Sequence, residues 1–207
     1  MYIPAAFREE DLDKLIAFMQ SHSFAALVSI QNQIPVVSHI PLAVTRHDNN
    51  VVKLTGHLAK ANPQWQAFQE SESLAVFTGS HAYISPSLYE KRENVPTWNY
   101  IAVHAYGRPE IITLNDAPEQ MNQMIDAMMD TYSADYKAQW QSLSHTYREG
   151  MMHGIVGFEM VVTRLEGKYK LSQNRSEAEQ RNIAHTLLQS HDPAAQAVGK
   201  VMQQHLE

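Results

Sequence analysis

"LTGHLAKANPQW", residues 54–65, is the stretch on which the reading of this chain turns. The run Val51-Val52-Lys53-Leu54 leads into Gly56 and has the apolar, β-branched character of a strand. Pro63 cannot continue a strand, yet its fixed φ suits the first turn of a helix. Asn62, just before it, is a good N-cap. A strand therefore ends, a short turn carrying His57 and Lys60 follows, and a helix opens. A helix start leaves backbone N–H groups unpaired and carries partial positive charge, so the turn has the make-up of a phosphate seat. The residues alone leave a second reading open, a surface turn with a solvated lysine. The stronger phosphate signal, G-x-x-x-x-G-K-[ST], does not occur.

Upstream of this turn, Leu12, Leu15, Ile16 and Met19 share one face of a helix predicted over 9–21. Residues 24–30 read as a strand, Gln31-Asn32-Gln33 as a turn, and 34–44 as a second strand. His47-Asp48-Asn49-Asn50 is a further turn. Downstream, the short helix after Pro63 carries Trp65 and Phe68. Residues 74–77 form a strand that Ala82-Tyr83-Ile84 extends or follows, 85–96 a loop, and 98–106 a β-rich segment that 111–113 continues. The period then changes. Asp116-Ala117-Pro118 starts a helix, and Met121, Met124, Ile125, Met128 and Met129 make a stripe at spacings of three and four. The stripe invites a metal or partner reading, but core packing is preferred because thioethers fill irregular apolar gaps. A strand over 155–165 is prolonged or followed by 167–171. Ser176 and Glu179 form a capping box for a helix through Leu188, and Asp192-Pro193 opens the last helix. The final Leu206-Glu207 is compatible with a vector remnant.

Short, mostly sequential strands joined by turns predict an antiparallel barrel rather than a parallel sheet, mainly β with peripheral helices, an α+β class. The 207 residues suffice for one sizeable domain with an extension. Hydrophobic residues at 44% and charged residues at 18% are ordinary for a folded soluble chain. No apolar run approaches a membrane span, and MYIPAAFREEDL lacks the features of a secretory signal. With no cysteine, disulfides, thiolate metal sites and thiol catalysis are excluded, and a reducing cytoplasmic setting is compatible. A net charge of −6 makes nucleic acid an unobvious partner, unless a local basic face provides for it.

No spacing marks a catalytic centre. There is no G-x-S-x-G elbow, no H-E-x-x-H and no carboxylate pair set apart by position. His39, His57, His81, His104 and His153 lie in or beside predicted strands without ligand spacing, so hydrogen-bonded structural roles are preferred and no metal is expected. "HAYISPS" (81–87) and "VPTWNYIAVHAYG" (95–107) combine aromatic and polar residues. Tyr83, Trp98 and Tyr100 either wall a flat ligand or fill a barrel and its rim. "LEGKYKLSQNR" (165–175) gathers Lys168, Lys170, Gln173, Asn174 and Arg175, a basic edge for an anion or a solvated hairpin.

Taken together, "MYIP", "TGHLAKANPQW", "HAYISPSLY", "NVPTWNYIAVHAYG" and "LEGKYKLSQNRS" resemble, in sequence and order, the PaiB family of FMN-binding negative transcriptional regulators. The resemblance covers nearly the whole chain and is weakest over 116–150 and after about residue 190. It implies an FMN-binding split β-barrel over 1–170, with a helical insertion at about 116–135 and a C-terminal helical extension over 171–207. It also implies a homodimer with flavins at the subunit interface, and repression of genes for extracellular protease and sporulation in some bacteria, with operator DNA as a partner. Related split barrels include pyridoxamine phosphate oxidases, flavin reductases and haem-degrading proteins, so a flavin- or haem-dependent oxidoreductase is the alternative. The phosphate side of FMN is assigned to His57, Lys60 and Asn62, and Gly56 is counted among the cofactor-binding residues. Tyr83, Ser85, Trp98 and Asn99 are assigned to the ring or ribityl side, Lys170 and Gln173 to a contact from the partner chain, and His39 to the ring.

Overall fold

The computed structural model describes residues 1–47 and 50–206. Asp48 and Asn49, in the turn predicted over 47–50, lie outside the described residues, as does Glu207. In chain order the strands are β1 (Arg8–Glu9), β2 (Phe24–Gln31), β3 (Ile34–Pro41), β4 (Ala43–Arg46), β5 (Val52–Ala59), β6 (Ser73–Ile84), β7 (Thr97–Ile112) and β8 (Ile155–Lys170). The α-helices are α1 (Leu12–Ser21), α2 (Pro118–Tyr132), α3 (Tyr136–Ser142), α4 (His145–His153), α5 (Glu177–Leu188) and α6 (Pro193–His205).

The strands join in one sheet in the order β3-β2-β6-β7-β8-β5-β4, with β1 added to β8. β2 runs antiparallel to β3 and β6, and β8 antiparallel to β1 and β5. The path has two ends, β3 and β4, and does not close into a ring among the described residues. The α+β class and the antiparallel sheet expected from the sequence are both present.

Several segments join or divide differently from the sequence reading. The strand predicted over 34–44 breaks at Leu42, which is fully buried and whose N–H bonds to Ser23 O. The pairs of short strands predicted over 74–84, 98–113 and 155–171 are single long strands, because Gly and Pro residues inside them interrupt the apolar pattern but not the backbone path. The segment after Pro63 is a 3-10 helix, Pro63–Gln69. Helical structure continues past 135 through α3 and α4. No residue of α3 is buried and only Met152 of α4 is, so neither has the apolar stripe that announces a helix in sequence.

The chain packs into two compact units. The larger comprises Ile16–Phe77 and His104–Leu165. In it the β2–β3 hairpin turns through Asn32 and Gln33, both at positive φ (52° and 65°), the geometry of a two-residue primed turn. Leu27, Leu54, Phe77, Phe158 and Met160 are fully buried, and Phe68 meets the Phe158 ring edge-on at 5.0 Å. The methionine stripe of α2 is core, as expected: Met121, Met124 and Met128 cluster with Ile112 and Met152. The smaller unit comprises Met1–Leu15, Thr78–Val103 and the segment from Glu166 onward. There Ser176 and Glu179 form the predicted capping box of α5, and Gly199 lets α6 approach Leu188 N and Ala184 O of the α5 end. No helix among the described residues is long and apolar enough to cross a membrane.

Gly107 in β7 exists because the neighbouring strand is too close for a side chain. A Cβ there would stand 2.3 Å from Val161 O and 2.8 Å from Met160 Cγ. The first of these is backbone and cannot rotate away. Gly107→Ala is expected to destabilise the protein by about 1–3 kcal/mol, the usual cost of overpacking, read as a lower urea midpoint at unchanged slope.

Candidate functional site

The turn after β5 lies in the larger unit. β5 pairs with β8 from Lys53↔Val161 to Ala59↔Ile155, and Lys60 N–H continues the ladder to Gly154 O at 2.9 Å. Asn62 N–H closes the turn on Ala59 O. The Asn62 side chain caps the 3-10 helix by accepting from Gln64 N–H at 3.0 Å and donates to Ser38 Oγ at 2.8 Å. Trp65 Nε1 donates to Lys60 O. The N–H groups of Lys60, Asn62 and Gln64 are therefore bonded within the chain. What the turn offers outward is the exposed Lys60 ammonium, which forms no ion pair among the described residues.

Gly56 and His57 serve packing as well. A Cβ at Gly56 would stand 2.8 Å from Leu42 Cδ2 and 3.3 Å from Pro41 O, so glycine lets the β3–β4 junction cross close to β5. His57 is half-buried, with Nδ1 3.4 Å from Met128 Sδ. Burial holds its pKa below the ordinary 6.5, so near neutrality the ring offers a hydrogen bond rather than a charge. His39 is exposed on β3, its ring 6.4 Å from that of Phe24, one residue from the Ser38 that holds Asn62.

The other sequence-predicted residues lie in the smaller unit. Trp98 and Tyr83 are 51% and 52% exposed and meet edge-on at 5.9 Å, and His81 also meets Trp98 edge-on at 5.3 Å. This is an open aromatic surface. Asn99 is fully buried and bonded to Ser172 Oγ and Met202 Sδ, which ties β7 to α6. Ser85 caps the short 3-10 helix Pro86–Leu88 through Ser87 N–H. Both ends of the Gln173 amide bond to backbone, Oε1 to Leu171 N–H and Nε2 to Tyr169 O.

Of the basic edge, Lys168 is withdrawn into the fold: it is 9% exposed, donates to Tyr2 O and lies 5.3 Å from the Tyr100 ring centroid. Lys170 Nζ donates to Thr97 Oγ1 (2.5 Å) and Trp98 O (2.7 Å). Burial, then the charges of Lys168 and Arg175, lower its pKa. Tyr89, the last residue of HAYISPSLY and given no role from the sequence, lies beneath the Arg175 guanidinium at 3.9 Å. No cluster of three or more His, Asp or Glu capable of holding a metal occurs among the described residues. In the larger unit a lysine on a pinned turn faces outward with an exposed histidine, groups of the kind that meet a phosphate; the smaller unit, taken by itself, exposes an aromatic surface of the kind that meets a flat ring.

The lowered His57 pKa gives a pH dependence with a definite sign. Below about 6.5 the unfolded chain takes up this proton more readily than the folded one, so the stability gained by keeping the ring neutral is present above that pH and lost as pH falls through it. Between about pH 7.5 and about pH 5.5 the urea midpoint of the wild type should drop more than that of His57→Gln. Equal drops would mean that the ring titrates freely.

Comparison with known proteins gives a family model described as "Putative FMN-binding domain", matching residues 1–164. A Bacillus subtilis relative, "Protease synthase and sporulation protein PAI 2", is 36% identical over 208 residues, covering 100% of this chain and 99% of the relative. Among solved structures, the FAD- and haem-binding protein of Mycobacterium smegmatis superposes with a TM-score of 0.59 at 12% identity, over 86% of this chain and 79% of that one. The flavocytochrome Anf3 of Azotobacter vinelandii gives 0.54 at 14% identity, over 79% and 69%. These two establish the shared fold, an open antiparallel sheet of the split-barrel type. The family match over residues 1–164 and the end-to-end relative together show that this chain belongs to the PaiB family of FMN-binding proteins, with FMN as its cofactor.

Proposed function

We propose that the protein is a homodimeric, FMN-dependent transcriptional regulator that acts in the cytoplasm. The observation that carries this reading is the match with the Bacillus relative named for protease synthesis and sporulation, 36% identical over 100% of this chain and 99% of the relative. When bound, FMN supplies one- and two-electron redox chemistry, which suits a sensor. The chain's own residues bind and orient it. Lys60, whose ammonium forms no ion pair among the described residues, meets the phosphate, with His57 as a neutral hydrogen-bonding neighbour and Asn62 holding the turn in shape. In the smaller unit, taken by itself, the exposed rings of Tyr83 and Trp98 are a surface of the kind on which a flat ring rests.

The homodimer is supported by one face of the β2–β3 hairpin. Phe24, Val28 and Ile30 of β2 stand opposite Pro41, Val37 and Pro35 of β3. Phe24 is 68% exposed and Val37 51%, more apolar surface than an edge hairpin leaves uncovered without reason. No Asp, Glu, Lys or Arg occurs from Leu15 to Thr45, so this face meets its own copy with no like-charge penalty.

Lys60→Ala isolates the phosphate contact. A charge-assisted hydrogen bond contributes about 1.5–3 kcal/mol, so FMN should bind roughly 10- to 150-fold more weakly, while riboflavin, which lacks the phosphate, should change much less. Fluorescence titration of wild type and variant with both flavins reads the difference. Equal weakening of the two flavins, or of neither, would remove Lys60 from the phosphate.

The regulatory reading is tested on the FMN-loaded protein. Light scattering should give twice the mass of one chain. Gel shifts with DNA upstream of its own and neighbouring genes should show binding that differs between oxidised and reduced flavin and falls with salt as counterions are released. A monomer that binds none of this DNA at low salt, yet oxidises NAD(P)H steadily in air, would establish the oxidoreductase instead.

A further inference from the structure

The loop before β7 and the chain after β8 form an open pocket of about 190 Å3 within the smaller unit. Phe7, Tyr89, Val95 and Pro96 form its apolar side, and Lys170 and Arg175 its charged side. No Asp or Glu lines it. Two protons of Lys170 are committed to Thr97 and Trp98 O, which leaves one on the ammonium. Arg175 donates from Nη1 to Asn94 Oδ1 at 2.7 Å and lies flat on the Tyr89 ring. Glu179 feels the Arg175 charge, but its carboxylate accepts from the N–H groups of Glu90 and Ser176. Positive groups are thus gathered without a carboxylate lining the pocket to answer them, and burial, then the charges of Lys168 and Arg175, lower the Lys170 pKa.

A second observation concerns Tyr89. Its hydroxyl is buried and has no hydrogen-bond partner among the described residues. A buried polar group without a partner is costly and uncommon in a native fold. The pocket is smaller than the roughly 300–1,000 Å3 that ligands of drug size occupy, and FMN is of that size.

We propose that this pocket binds a small organic carboxylate, its anionic end against Lys170 and Arg175 and its apolar body against Phe7, Val95 and Pro96. Lys170 is then assigned to this anion rather than to the flavin. Binding of such a molecule gives the protein an input independent of the redox state of its cofactor.

Benzoate is the probe, titrated calorimetrically into the protein with and without FMN, so that a failure of the flavin reading leaves this test intact. Benzyl alcohol has the same body without the charge, and inorganic phosphate has charge without the body. Benzoate should saturate, and both controls should bind at least about ten times more weakly. Arg175→Gln should weaken benzoate by about tenfold or more while FMN affinity is unchanged. Three results overturn the proposal: benzoate fails to saturate, either control binds as tightly as benzoate, or Arg175→Gln lowers FMN affinity, which would return the pocket to the flavin site.

Discussion

The register between β5 and β8 is the constraint on which the candidate phosphate turn depends. Paired positions from Lys53↔Val161 to Ala59↔Ile155 leave the two strands no freedom to slide, and the bond from Lys60 N–H to Gly154 O extends the ladder into the turn itself. A slip of one residue would exchange the inward and outward sets of side chains. It would replace Gly56, under which Leu42 fits, by a residue with a side chain, and turn Leu54 and Leu58 out of the core. The turn is then fastened a second time by the Asn62 amide, which reaches both Gln64 N–H and Ser38. Lys60 therefore projects from a backbone already in place, so a phosphate has only the side chain to immobilise.

The helices α2 to α4 act on the same region through His57. The methionine-rich core that contains Met124 and Met128 packs against β5 and its neighbour β8, so close to β8 at Gly157 that a Cβ there would stand 2.5 Å from Met124 Sδ. Met128 meets the His57 ring and keeps water from it. A residue that in isolation would titrate near neutrality is held neutral by this burial. The charge at the turn thus belongs to Lys60, and the histidine contributes shape and a hydrogen bond. In the smaller unit the same physics gives another result. Lys168 is covered by Tyr2 and Tyr100, whereas Lys170 and Arg175 stay partly open beside an apolar wall.

The sequence by itself determined the fold class, the existence of most elements and the family. Alternating apolar residues produced β2 and β3, S-x-x-E fixed the start of α5, and the spacing of Met121, Met124 and Met128 placed α2 on the core. These are local or periodic signals, carried by neighbouring residues and independent of what they pack against. The fusion of predicted short strands into β6, β7 and β8 was hidden, because Gly107, Pro109 and Gly167 break the pattern of side chains while the strand continues past them. The helices α3 and α4 were hidden because they bury almost nothing. Tertiary structure decided what the site residues do. Asn62, Asn99 and Gln173 read as ligand donors in sequence, but their hydrogen bonds go to Ser38, Ser172, Leu171 and Tyr169. Whether a polar side chain is free to meet a ligand depends on which distant groups reach it first. Sequence order holds no record of that competition, which is settled by contacts as remote as the one joining Asn99 to Met202.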